Sequence, residues 1–213
     1  RKNMKRISAF TALLLLISNL SFASVGAVST ATGGSGRGAV ESVDGILMNP
    51  AFIRDLLNRN FAFNYAPDAW ALTVSDNAPD SLFPAALQMV STKDTNINTQ
   101  KLGLTVAAPR LKTVVFGATA AMVSYDFNPN MNTAEKFHQA VLDLGLTWAI
   151  SNDIGFGIVA KNASASEVAL AKNLQLQRTI AAGASYTYKN FIRFRLDAES
   201  GPDNNTDRVV YMM

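Results

Sequence analysis

From Asn60 onward the chain alternates apolar and polar residues with a period of two, in one segment after another. Successive side chains of a β-strand point to opposite faces, so this pattern builds strands with one apolar and one polar face. The sharpest case runs from Phe191 to Glu199. Ile192, Phe194, Leu196 and Ala198 share one face, and Arg193, Arg195, Asp197 and Glu199 share the other. A fully charged face needs water or charge partners in a polar interior. In a soluble sandwich the apolar face turns inward. In a membrane barrel it meets lipid, and the charges line the lumen.

The same alternation places Phe61, Phe63 and Tyr65 together, then Trp70, Leu72 and Val74. A weaker strand covers Ala85 to Thr92. Leu102, Leu104 and Val106 follow, then Val114 to about Phe127. The longest pattern sets His138, Ala140, Leu142, Leu144, Leu146, Trp148 and Ile150 on one face. Ile154 to Ala160, then Leu174 to Tyr188, precede the charged strand, and Val209 to Met213 ends the chain. About ten strands are predicted, several of them in the range of roughly 9–11 residues needed to cross a bilayer with tilt. Pro109-Arg110, Ser151 to Asp153 and Lys189-Asn190 make tight turns. Longer loops fall around 93–98, 128–134, 163–172 and 201–207. Short turns at one end and longer loops at the other are the signature of an up-and-down barrel in an outer membrane.

Composition agrees. The 213 residues are 48% hydrophobic and 16% charged, against roughly 25% charged in soluble domains. A mean hydropathy of +0.11 excludes a polytopic helical protein, because half the positions of a barrel strand are polar. The net charge of +3, with no basic stripe, gives no footprint for nucleic acid. Without cysteine there are neither disulfides nor thiolate metal sites.

Lys2, Lys5 and Arg6 precede an apolar run from Phe10 to Leu20, and Ser21-Phe22-Ala23 follows. This is the layout of a cleavable secretory signal peptide over residues 1–23, so export is expected. Residues 24–59 form a separate segment. Its Gly33-Gly34-Ser35-Gly36-Arg37-Gly38 run lacks the Gly-Lys-Ser/Thr ending of a phosphate loop, and an irregular backbone is expected there. Asn49-Pro50 reads as a helix start, with Asn capping and Pro at the first position. Phe52, Ile53, Leu56 and Leu57 then oppose Arg54, Asp55, Asn58 and Arg59, which predicts a short amphipathic helix to about Arg59. Strands occupy 60–213.

Gly36-Arg37-Gly38-Ala39-Val40, Asp44 and Asn49-Pro50-Ala51, set between the signal peptide and the strands, resemble the fatty-acid-transporter-like superfamily of bacterial outer-membrane barrels. They are similar also to the related adaptor barrels of type IX secretion. The resemblance implies that the N-terminal segment, with Asn49, Pro50 and Ala51 as its motif, sits inside the barrel as a plug. Such barrels carry more strands than are read here, and the chain ends in mid-strand at Val210-Tyr211-Met212-Met213. Truncation is therefore expected. No ligand-binding residue of the superfamily has a matching motif.

The chemistry of catalysis is missing. His138 is the single histidine and lacks partners for a catalytic or metal role, which leaves an interfacial side chain as the better reading. No Gly-x-Ser-x-Gly occurs. No enzyme activity, metal or cofactor is expected. The lumen-lining candidates are Asp143, Lys161, Arg193, Arg195, Asp197 and Glu199. The last four, adjacent and of both signs, are expected to form an ion-pair ladder in the barrel wall, with a solute path as the alternative. The expected fold is thus an all-β, antiparallel up-and-down transmembrane barrel with a plug-like N-terminal segment. The expected partners are outer-membrane lipid and hydrophobic small molecules. The expected function is passive uptake of hydrophobic or small solutes, or else a non-transporting adaptor or structural barrel.

Overall fold

A computed structural model describes residues 36–38, 45–56, 58–93, 97–108, 113–127, 136–164, 176–189, 191–200 and 208–212. The signal peptide expected over residues 1–23, most of the glycine-rich run, and Ala39, Val40 and Asp44 lie outside the described residues.

Two short helical pieces lead into the strands. They are α1 (Gly45–Met48) and a 3₁₀ helix (Pro50–Asp55). The strands are β1 (Asn58–Ala66), β2 (Ala69–Asn77), β3 (Ala85–Lys93), β4 (Ile97–Ala107) and β5 (Val114–Phe127). They continue as β6 (Lys136–Ala149), β7 (Ile154–Lys161), β8 (Thr179–Tyr188), β9 (Ile192–Ser200) and β10 (Arg208–Met212). All ten form one antiparallel sheet in strict sequence order. Every connection joins neighbours, as short polar turns between period-two segments require. No described helix is long and apolar enough to cross a membrane.

Several boundaries differ from the sequence pattern, and β4 begins at Ile97, inside the longer loop expected around 93–98. The helix ends at Asp55 rather than near Arg59, and β1 starts at Asn58. The Asn77 side chain explains this, because its amide donates to the carbonyls of Arg54 at 3.0 Å and Leu56 at 2.5 Å. That draws the chain out of the helix, and Asn58 completes the reversal at φ +57°, a conformation Asn tolerates. The segment is also not amphipathic in use, since Pro50, Ala51, Phe52 and Ile53 are all buried. Finally, β8 begins at Thr179, so Leu176 precedes the strand and Arg178 stands exposed just before it.

One face of the sheet is covered by the N-terminal segment, and the other is open. Their composition is the reverse of a soluble protein's. Thr73, Thr105, Thr119, Gln139 and Asp197, on the covered face, are each 2% exposed or less. On the open face Phe61 is 70% exposed, Leu104 54%, Ile158 51% and Leu196 44%. Several of the buried polar groups bond one another across strands. Gln88 Nε2 donates to Thr105 Oγ1 at 2.5 Å, and Thr105 and Thr119 share a 2.7 Å hydroxyl bond. Tyr125 donates to Gln139 Oε1 at 2.9 Å. Nearer the long-loop end, Ala121, Val123, Tyr125 and Val141 cluster with Ile97, Phe127, Phe137 and Leu176.

The apolar run of the open face also drifts along the sheet. On β1 it centres on Phe63, whose row of partners reads Leu72, Met89, Leu102, Met122 and Ala140. On β9 it centres near Leu196, whose row reads Ala184, Phe156 and Trp148. Ala140 and Trp148 both lie on β6, eight residues apart. From β1 to β9 the apolar run therefore slides by about one residue per strand, the stagger that tilted barrel strands require.

The threonine bonds generate a test. Thr105→Val removes the shared oxygen of Gln88 and Thr119 while keeping the shape. It is expected to lower stability by about 1–3 kcal/mol, read from urea unfolding by tryptophan fluorescence, with Thr105→Ser close to wild type.

Candidate functional site

The site is the seat of the N-terminal segment on the covered face. Five glycines at covered-face positions line it. Gly117 pairs with Gly145 between β5 and β6, and Gly157 pairs with Gly183 between β7 and β8. Gly155 lies one step along β7 from Gly157. Each place lacks a Cβ because backbone or the Asn49 side chain already fills it. A Cβ on Gly117 would meet the Ala51 nitrogen at 2.5 Å, and one on Gly155 would meet the Gly38 carbonyl oxygen at 2.5 Å. On Gly145 it would collide with Asn49 Oδ1, and on Gly157 with the Arg37 carbonyl. On Gly183 it would collide with the Asp197 carboxylate. The row is thus a groove cut to the width of a peptide backbone.

Three residues lock the segment into it. Asp197 Oδ2 accepts from the Gly36 N–H at 2.9 Å, the Arg37 N–H at 3.0 Å and Arg37 Nη1 at 3.2 Å. Arg37 Nη2 donates to Glu199 Oε2 at 2.5 Å. Arg37 and Asp197 are almost fully buried, at 7% and 1% side-chain exposure, where charged hydrogen bonds are strongest. Gly36 takes φ +137°, which only glycine adopts freely. Asn49, fully buried, is the third lock. Its Oδ1 caps the Ala51 N–H at 3.1 Å, and its Nδ2 donates to Leu146 O at 3.1 Å and Arg37 O at 3.3 Å. Ser185 Oγ holds the Gly38 carbonyl at 2.7 Å. On its other side the segment packs Ile46, Ala51, Ile53 and Leu56 against Ala86, Ala107 and Val115 of β3 to β5.

The six charged candidates from the sequence lie on the covered face, and Asn49, Pro50 and Ala51 lie in the segment. Arg37 enters from the segment and its guanidinium bridges Asp197 and Glu199 at once. Arg193 donates from Nε to Thr187 Oγ1 at 2.8 Å. Arg195 is half-buried on the covered face. Asp143, buried, accepts from Lys101 Nζ at 2.7 Å and from the Asn162 N–H at 2.7 Å. Lys161 is half-buried at the end of β7. Asn49, Pro50 and Ala51 sit at the centre of the seat.

Sequence reasoning missed Arg37, Asn77, Ser185 and the glycine row as functional residues. A usable signal existed for the glycines, which recur at polar-face positions of successive strands. Arg37 stood out only within the Gly36-Arg37-Gly38 match, and its partners lie about 160 positions away. His138 is exposed on the open face, with Nδ1 2.9 Å from Ser124 Oγ. Among the described residues no group of His, Cys, Asp and Glu could hold a metal ion. No family model, curated protein or solved structure matches the chain, and the site stands on its own geometry.

Trypsin reports on this seat, since Arg37 is shielded only while the segment is docked. Asp197→Ala removes three hydrogen bonds to one carboxylate, and Gly145→Ala drives a methyl into Asn49. Each is expected to speed cleavage after Arg37 by about tenfold or more, followed by mass spectrometry, with the strands still protected.

Proposed function

We propose that the chain is an outer-membrane β-barrel protein of a bacterial envelope, exported through a cleavable signal peptide. In this reading the N-terminal segment plugs the lumen, and the barrel admits hydrophobic or small solutes by passive uptake. The observation that carries the reading is the inverted pair of faces. A water-soluble sheet would hide Phe61, Leu104 and Ile158 and expose Thr105, Gln139 and Asp197; this one does the opposite. An apolar surface running across nine strands far exceeds what a soluble monomer leaves open, and it suits lipid. The drift of that surface by about one residue per strand supports closure with tilted strands. Trp148, Tyr186, Tyr188 and Phe191 gather at the short-turn end, and Tyr65 and Trp70 at the long-loop end, as two interfacial girdles would.

The uptake reading draws on the covered face. The apolar cluster around Val123, Tyr125 and Val141 lies toward the long-loop end, beyond the segment, and offers contact to an apolar solute. A non-transporting adaptor or structural barrel is the competing reading, and the tightness of the glycine seat favours it.

Two measurements test these readings. The folded protein is expected to run faster on a gel before heating than after, and Leu104→Arg, at mid-belt, is expected to cost about 2–4 kcal/mol of stability in a bilayer. A protein that stays water-soluble and shows no mobility shift defeats the barrel. Liposomes carrying the full chain or Asp197→Ala are expected to swell with small uncharged solutes, the variant faster. Impermeability of both forms to every solute class hands the function to the adaptor reading.

A further inference from the structure

Among the described residues, the carboxylates that act on Lys161 are already bonded to other donors. Lys161 closes β7 on the covered face, in line with Gly157 and Val159. The last β6–β7 pair is Leu144 with Ala160, so the register brings Lys161 level with Asp143. Asp143 is already committed, because Lys101 Nζ occupies Oδ2 and the Asn162 N–H occupies Oδ1, both at 2.7 Å. Glu199, the other carboxylate acting on Lys161, is held by Arg37. The remaining charges that reach Lys161, those of Arg37 and Lys101, have its own sign. No carboxylate or hydrogen-bond acceptor contacts the Lys161 ammonium among the described residues, although the residue is half-buried. An ammonium presents three donors, and withdrawing it from water costs free energy unless a partner replaces the water. Two lysines therefore flank one carboxylate that bonds only one of them.

We propose that Lys161, with Lys101 beside it, is a binding point for an anionic group of a small solute, a carboxylate or a phosphate. Such a group would accept from Lys161 and add its charge to that of Asp143 between the two ammoniums. The proposal rests on the uptake reading only for the route by which the solute arrives. It narrows the solute class to small molecules bearing one negative group.

The test uses the full chain folded in zwitterionic detergent, its lysines carrying ¹³C-methyl labels that keep their charge. Sodium acetate or sodium phosphate is added at constant ionic strength. The Lys161 resonance is expected to move and saturate, while that of exposed Lys93 does not. Saturation by acetate alone identifies a carboxylate site, and by phosphate alone a phosphate site; either supports the proposal. Lys161→Gln is expected to weaken binding, read at Lys101, by about tenfold, the worth of one charged hydrogen bond, and Lys161→Arg to retain it. A Lys161 shift that only tracks that of Lys93, or binding unchanged in Lys161→Gln, overturns the proposal. Saturable anion binding without heat-modifiable gel mobility keeps the site and removes the barrel reading, so the two fail separately.

Discussion

The carboxylate of Asp197 gathers two backbone N–H groups and a guanidinium from a segment about 160 positions earlier in the chain. Much of the covered face is arranged around that contact. Gly183 leaves room beside the carboxylate, and Glu199 takes the second arm of Arg37. The Arg37 carbonyl then lies over Gly157 and accepts from Asn49, which also caps the 3₁₀ helix and bonds β6. A chain of contacts thus runs from β9 to β5 through one short stretch of backbone. Each link excludes water, and that strengthens the next.

Burying so many polar groups would be ruinous unless they bonded one another. The structure meets this demand in two ways. Between β3, β4 and β5, hydroxyls and amides on facing strands bond directly, as Gln88, Thr105 and Thr119 do. Between β6 and β9, the segment itself supplies donors and acceptors. The sheet therefore buries polar groups beside its two apolar clusters. Its largest exposed apolar residues stand on the open face, where the proposed lipid setting would stabilise them.

Much of the fold was legible in the residues. Phe61, Phe63 and Tyr65, or Leu102, Leu104 and Val106, announce strands because only a period of two puts them on one face. Asn49-Pro50 announced the helix start, and the cap is present. The helix end was not legible, because it depends on Asn77 at the end of β2, which looked like an ordinary loop residue. The pairing of the charged strand was hidden for the same kind of reason. Arg193, Arg195, Asp197 and Glu199 are self-complementary as a string, and nothing local says that a distant arginine joins them.

Sequence alone determined the alternation, the strand order and the presence of one apolar and one charged face, because strand periodicity and short turns are local properties. Tertiary structure alone decided which face is covered, and by what. That choice turns on glycines from four strands aligning into one groove, and on Arg37 meeting Asp197 and Glu199 across the chain. Both are matters of register between distant segments, settled only when the sheet has formed.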